Sequence, residues 1–430
     1  MSTGHSPEQL AAENQRLRRA VAELSVLNEI ATAISSTQSL DDIIQLMVRK
    51  CVKHLQVEQA AVMLLETEGD NQMLQTMVRQ ADSSTSFLPY RLDAELTGWM
   101  LHHRKPLLVT DLASDERFSS RTGDDIPVRS LISVPLVHQG KMIGTLTVFN
   151  KKTPEGFSAE DQRLLAIIGS QSAQVIENAR LLKEEQALIR MQEEMRTARE
   201  IQDHLLPDNP TGLEGYDIAG HSIAAKEVGG DYYDFITLPD GRLAFSIGDI
   251  TGKGLPAAML MANTQATIRT CAVLNPEPAQ VLENANRLLH DSTGIGKFVT
   301  LFYGVVDPVN HTITYTNAGH DQPYFLNADG SLQRLSTGGM VVGFMPNSSY
   351  EQETVPLTPG SRLVLYSDGI TEAMDAADTE FGEARLESLA TDHRGNPAAD
   401  FIEAAMSAVR AHAGDTPQSD DMTLVVVGRK

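Results

Sequence analysis

Four stretches put an aspartate at or beside the edge of an apolar run. Asp249 closes FSIGD, Asp368 closes VLYSD, Asp420 and Asp421 open DDMTLVVV, and Asp231 lies in EVGGDYYDF directly before a β-prone segment. One aspartate at a strand end is an ordinary turn former. Four such sites, each beside glycine, serine or another acid, ask for more. Carboxylates that converge without lysine or arginine partners repel one another, and a divalent cation makes their convergence tolerable. Oxygen ligands with no CxxC or HExxH motif nearby select hard ions, magnesium or manganese, over zinc. The loop GDITGKG after Asp249 is a poor phosphate cradle, because it lacks the spacing and the following Ser/Thr of GxxxxGK[ST]. Lys253 within it reads as a solvated turn lysine rather than a phosphate ligand.

Positioning such acids requires many short strands, and the C-terminal half supplies them. YDIAGHSIAAK, YYDFITL, RLAFSIGDI, FVTLFYGVVD, TITYTNAG, QPYFLNA, RLVLYSDG and MTLVVVG are all β-prone. LPAAMLMANTQATIRTCAVL and PAQVLENANRLLHDS read as helices, as do later stretches near EARLESLA and PAADFIEAAMSAVRAH. Antiparallel hairpins with two helix groups predict a β-sandwich covered by helices.

Residues 39–150 alternate in type. SLDDIIQLMVRKCVKHL has helical spacing with Ser39 as N-cap, AAVMLLE and QMLQTMVRQ read as strands, and SVPLVHQGKMIGTLTVFN reads as a hairpin. FSAEDQRLLAIIGSQSAQVIENARLL follows as a long helix capped at Ser158. Together these predict a small α+β domain with helices packed on an antiparallel sheet. Residues 175–205 continue as one helix without glycine or proline. Leu181, Leu188 and Met195 repeat at seven and Met191, Ala198 and Leu205 interleave, which predicts a connecting coiled coil that Pro207 ends. Near the N-terminus Leu10, Leu17 and Leu24 interleave with Asn14, Val21 and Asn28. That pattern reads either as a short coiled coil or as an amphipathic helix lying on its own domain. The coiled coils predict a parallel homodimer.

The bulk composition narrows the function classes. A chain of 430 residues predicts two or three domains. Lysine plus arginine number 35 against 57 acids, a net charge of −22 that disfavours nucleic acid and anionic membranes. Two cysteines, Cys51 and Cys271, fit a reducing cytoplasm, and no signal peptide or membrane span is expected.

SVPLVHQGKMIGTLTVFN followed by FSAEDQRLLAIIGSQSAQVIENA resembles a GAF sensory domain, placed at residues 24–180. Cyclic-nucleotide-binding members carry an asparagine–lysine–phenylalanine–aspartate–glutamate signature. Asn150, Lys151 and Phe157 fit it, but Glu160 and Asp161 come in reversed order and closer spacing, so that ligand is not carried over. The signal stays an unknown small molecule or protein. Cys51 reads as a core thiol rather than a bilin attachment site.

EVGGDYYDF, IGDITGKGLPAAMLMA, FVTLFYGVVD, YTNAGHDQP, LVLYSDGITEAMD, FGEARL and SDDMTLVVV, in that order, resemble the metal-dependent (PPM-type, 2C-like) serine/threonine phosphatases of the SpoIIE/RsbU branch. AREIQDHLLP resembles the segment that precedes that catalytic domain. The heptad patterns and the two resemblances together predict an α+β chain: an N-terminal coiled-coil helix at 1–23, the GAF-like domain at 24–180, a helical coiled-coil linker at 181–207, and an α-β-β-α sandwich phosphatase domain at 208–430. The phosphatase resemblance implies further chemistry. It implies two Mn²⁺ or Mg²⁺ ions that activate water against phosphoserine or phosphothreonine, with no side-chain nucleophile. Asp249 matches the acid bridging both ions, and the Ile250 carbonyl would face the second ion. Asp231 would hold that ion mostly through water, while Asp368 and Asp420 match ligands of the first. Asp421 takes the place of a family asparagine or aspartate. Asp234 reads as an acid supporting the ligands or as a satisfied surface acid. His320 reads as a hydrogen-bonded turn histidine ahead of a general acid. No arginine for the substrate phosphate is evident near the domain start; Arg199 lies in the preceding helix.

The resemblance further implies that the substrate is a phosphorylated anti-sigma factor antagonist of the STAS type. The competing function is a non-catalytic scaffold with GAF as ligand sensor. A dead scaffold would usually have lost a ligand acid, and Asp231, Asp249, Asp368 and Asp420 are all present. A cyclic-nucleotide hydrolase lacks the histidine-rich metal site it would need.

Overall fold

The computed structural model describes residue 13 and residues 40–68, 71–81, 94–118, 128–211, 213–275, 277–292 and 296–430. The heptad pattern at 8–28 and the cap at Ser39 lie outside the described residues. The chain divides into two compact units, Met1–Ile189 and Arg190–Lys430. Among the described residues no helix is long and apolar enough to cross a membrane.

The first unit is an antiparallel sheet packed on helices. Its elements are α1 (Leu40–Leu55), β1 (Val57–Glu68), β2 (Asn71–Ala81), α2 (Ala94–His103), β3 (Leu107–Val109), β4 (Leu131–His138), β5 (Lys141–Lys151) and the start of α3 (Ala159–Leu205). The sheet order is β2-β1-β5-β4-β3. Period-two alternation decides its faces. Ala60, Val62, Leu146, Val148, Ile132 and Val134 meet α1 and α3, while Ala61, Phe149 and Leu131 meet α2 and β3. Cys51 is fully buried among the first set, and burial pushes its thiol up to about 12, so it is inert packing.

The signature-like residues Asn150, Lys151, Phe157 and Asp161 form a clasp at the β5–α3 joint. Asn150 Oδ1 accepts from Arg129 N at 2.7 Å, and its Nδ2 donates to Glu58 at 2.7 Å. Lys151 pairs with Asp161 at 2.8 Å and lies 5.9 Å from the Phe157 ring centre. Asp161 N donates to Ser158 Oγ and Ser158 N to Asp161 Oδ2, a reciprocal cap that starts α3 where the sequence placed it.

α3 runs 47 residues, about 70 Å at 1.5 Å per residue. Leu181, Leu182, Leu188, Ile189 and Met191 stay exposed on it.

The second unit continues from the end of α3 through β6 (Tyr216–Ile223), β7 (Tyr232–Thr237), β8 (Leu243–Ile250), α4 (Leu255–Leu274), α5 (Pro278–Ser292), β9 (Val299–Asp307), β10 (Thr312–Ala318), β11 (Tyr324–Leu326), β12 (Leu332–Arg334), β13 (Gly338–Gly339), β14 (Glu353–Pro356), β15 (Arg362–Tyr366), α6 (Asp368–Thr371), α7 (Glu383–Asp392), α8 (Ala398–Ala413) and β16 (Met422–Arg429). One sheet runs β13-β10-β9-β8-β7, with β14 on β10; the other runs β12-β11-β15-β16-β6. Three apolar cores stack in layers. Tyr233, Phe245, Phe302 and Tyr315 meet Phe325, Leu363, Val425 and Val427 between the sheets. α4 and α5 cover the outer face of the first sheet, α6 to α8 that of the second. The helix–sheet–sheet–helix order expected from the strand runs is what folds, because strands buried on both faces need an apolar layer on each side.

Candidate metal centre

Two strand ladders each deliver acids from their ends. Tyr232 pairs with Gly248 across β7 and β8, so Asp231 and Asp249 leave adjacent ends of that ladder. Tyr366 pairs with Leu424 across β15 and β16, so Asp368, at the first turn of α6, lies near Asp420 and Asp421, which precede β16. Glycine is required where these ends crowd: a Cβ on Gly369 would lie 2.1 Å from the Asp421 carbonyl oxygen.

The four acids and their neighbours share one electrostatic environment. Burial first, then the charges of Asp368, Asp420, Asp421 and Asp321, push Asp249 up to about 7. Asp231 is buried and held well above the carboxylate range, by burial first, with Asp249 and Asp421 adding to it against the Thr423 and Ser367 hydroxyls. Burial and Asp420 raise Asp368, and burial and Asp368 raise Asp321 to about 6. Among the described residues no three His, Cys, Asp or Glu side chains form a ready-made metal cage. The donor set nonetheless fits hard divalent cations: it is all oxygen, and its own repulsion is what a cation relieves. The Ile250 carbonyl oxygen approaches from the β8 end, 3.2 Å from a Cβ built on Gly230 beside Asp231.

A pH dependence follows. Asp249 rises from the usual 3.8 to about 7, so across that window the folded protein holds a proton the unfolded chain has released. Stability of the metal-free protein then falls as pH climbs through the window, by on the order of a few kcal/mol. A bound cation takes the ionised form and reverses the loss. Thermal melts in EDTA and in Mn²⁺ are expected to show a larger Mn²⁺-induced rise at about pH 8 than at about pH 5; equal rises would contradict this.

The contacts of the neighbouring residues match the sequence expectation for His320 and depart from it for Asp421, Asp234 and Lys253. Asp421 is a backbone anchor: Oδ1 accepts from Ala225 N at 2.7 Å, and Oδ2 from Gly230 N at 2.5 Å and Asp231 N at 3.2 Å. It thereby fixes the loop that carries Asp231. Asp234 is neither a support for the ligands nor a surface acid. It is fully buried in a two-pronged pair with Arg269, at 2.7 and 2.9 Å, and accepts from Tyr232 Oη. His320 is the turn histidine: Asn317 brackets it through His320 N and O, and its Nδ1 meets Thr300 Oγ1 at 3.1 Å. Burial lowers it to about 4, so it carries no imidazolium proton near neutrality. Thr300 in turn accepts from Asp249 N at 3.3 Å, so His320 braces the strand end that carries Asp249. Lys253 is not free in solvent; its Nζ lies 2.7 Å from Asp420 Oδ2.

This arrangement has relatives. Residues 239–430 match the family described as Stage II sporulation protein E (SpoIIE), and residues 37–177 match the GAF domain family. The C-terminal unit thus matches the SpoIIE family over most of its length. The chain is 29% identical to Phosphoserine phosphatase RsbU of Bacillus subtilis over 333 residues, 75% of this chain and 93% of that one. It is 31% identical to Protein IcfG of Synechocystis sp. over 264 residues, 55% of this chain, and spans 41% of that protein's length. The SiaA-PP2C domain of Pseudomonas aeruginosa shares the fold, with TM-score 0.50 and 24% identity over 57% of this chain and 98% of that one.

One contact in the C-terminal unit was invisible in the sequence. Gln202, buried near the end of α3, donates from Nε2 to Gly229 O at 2.8 Å and accepts at Oε1 from Gly229 N at 2.9 Å. Gly229 is two residues from Asp231. Gln265 of α4 also donates to the Leu205 carbonyl, so the helix end is tied to both the Asp231 loop and α4. A glutamine inside a charged heptad helix reads as solvated; only the fold turns it inward.

Proposed function

We propose that the chain is a sensor-regulated, metal-dependent protein phosphatase that removes phosphate from phosphoserine or phosphothreonine on a partner protein, a STAS-type anti-sigma factor antagonist. The observation that carries this is the convergence of strand ends: Asp231 and Asp249 leave the paired ends of β7 and β8, and Asp368 lies beside Asp420 and Asp421 at the paired ends of β15 and β16. The RsbU relative, itself named a phosphoserine phosphatase, supports the substrate class.

Asp249, the Ile250 carbonyl and Asp231 would hold one Mn²⁺ or Mg²⁺, and Asp249, Asp368 and Asp420 the other. Bound there, two such cations supply Lewis acidity and a water acidic enough to act as a nucleophile near neutral pH. The chain's own side chains provide position. Asp421 fixes the loop behind Asp231, and Thr300 with His320 fixes the backbone of Asp249. The test is phosphate release from a phosphoserine peptide with Mn²⁺ and with EDTA; turnover equal in both would reject the reading.

The division into a GAF sensor at 24–180, linker at 181–207 and catalytic domain at 208–430 belongs to the same proposal, as does a cytoplasmic setting. The exposed leucines of α3 support a parallel homodimer. Sedimentation equilibrium of the full chain is expected to give twice the 46.9 kDa monomer mass, and Leu188→Asp to shift it toward monomer. A monomeric parent chain would remove the dimer.

A further inference from the structure

Both carboxylate oxygens of Asp420 are engaged. Oδ1 accepts from Asp421 N at 2.9 Å, and Oδ2 meets Lys253 Nζ at 2.7 Å. The same ammonium donates to the Ser419 carbonyl at 2.8 Å. Among the described residues this is the one ion pair made by Asp231, Asp249, Asp368 or Asp420. Lys253 sits in the turn from β8 to α4, flanked by Gly252 at φ +104° and Gly254 at φ +73°. A Cβ at either glycine would meet nothing within 4 Å, so glycine is needed for the backbone path and not for room. That path carries the chain away from Asp249 and returns the lysine to Asp420. The side chain remains about half exposed, so its ammonium can leave without disturbing a core.

An ammonium on Asp420 and a divalent cation on Asp420 exclude one another in part. They compete for the same oxygen, and their charges repel at such range. We propose that Lys253 is the resident counter-cation of this metal seat. A divalent ion displaces it from Asp420, and the freed ammonium then contacts the phosphoryl oxygens of the substrate. This supplies a phosphate contact where no arginine is evident near the start of the domain. It rests on the phosphatase reading and adds a residue to it.

The test is titration of the full chain with MnCl₂ by calorimetry, beside steady-state hydrolysis of a phosphoserine peptide at saturating Mn²⁺. Lys253→Met is expected to bind Mn²⁺ about fivefold more tightly, the scale of one partly exposed ion pair removed. It is expected to raise KM about tenfold with kcat little changed, as loss of uniform substrate binding does. Lys253→Arg keeps the charge and is expected to tighten Mn²⁺ little. Melting in EDTA checks that the variants fold.

Unchanged or weaker Mn²⁺ binding by Lys253→Met overturns the exchange. Tighter Mn²⁺ with unchanged KM overturns the phosphate contact. A parent chain that binds no Mn²⁺ overturns instead the reading beneath it.

Discussion

Asp249→Asn is expected to cut Mn²⁺-dependent phosphate release by about a thousandfold, ~4 kcal/mol of transition-state stabilisation. The substitution is nearly isosteric and leaves the β8 ladder intact, since the backbone of Asp249 makes its contacts to Thr300. What it removes is the charge that faces Asp368 and Asp420. The same loss has a second signature of opposite sign. In EDTA at about pH 8 the parent carries an ionised, mostly buried carboxylate repelled by its neighbours; asparagine does not. The variant is therefore expected to melt higher than the parent in EDTA and to gain little on adding Mn²⁺. A damaged fold would lower both activity and melting temperature, so the pair of readings separates a missing ligand from a misfolded protein. Turnover within tenfold of the parent, or a lower melting temperature in EDTA, would count against Asp249 as the shared acid.

Much of this was legible before the fold. Strand ends were readable because β-prone runs stop at glycine and aspartate, so Asp249, Asp368 and Asp420 could be placed at the ends of elements, while the roles proposed for them came from the resemblance. Helix starts were readable where a cap is local, as at Ser158 with Asp161 three residues on. What escaped was contact at long range. Nothing near Asp421 indicates that its carboxylate will meet backbone amides about 190 residues away, because any acid can accept from any N–H. The sequence left Asp234 as either an acid supporting the ligands or a satisfied surface acid. Strand alternation puts it on the same face as Tyr232 and Ile236, under α4, where Arg269 neutralises it. Lys253 read as solvated because its partner lies 167 positions along the chain. Side-chain type and period give the face of an element, and the partner on that face comes only from topology.

The contact most informative about control is the one made by Gln202. Leu181, Leu188 and Met195 recur at seven along α3, and the next position in that series is Gln202. The apolar seam thus ends in the one amide that holds Gly229 by both its N–H and its C=O. Turning or unwinding the helix cannot leave those two bonds intact, and the loop they hold carries Asp231. Gln202→Ala leaves a buried peptide unpaired and is expected to cost about 2 kcal/mol. It is expected to speed hydrogen exchange of the amides at 225–231 by about tenfold or more. A Gly-Pro insertion after Met191 breaks the helix without touching the catalytic domain, and is expected to change the Mn²⁺-dependent rate by about fivefold or more in the parent. In the Gln202→Ala background the same insertion should change the rate by less than about twofold, because the contact through which it acts is already gone. Equal effects in the two backgrounds would mean that the helix reaches the metal seat by another route, with the Gln265–Leu205 tie to α4 the next to cut.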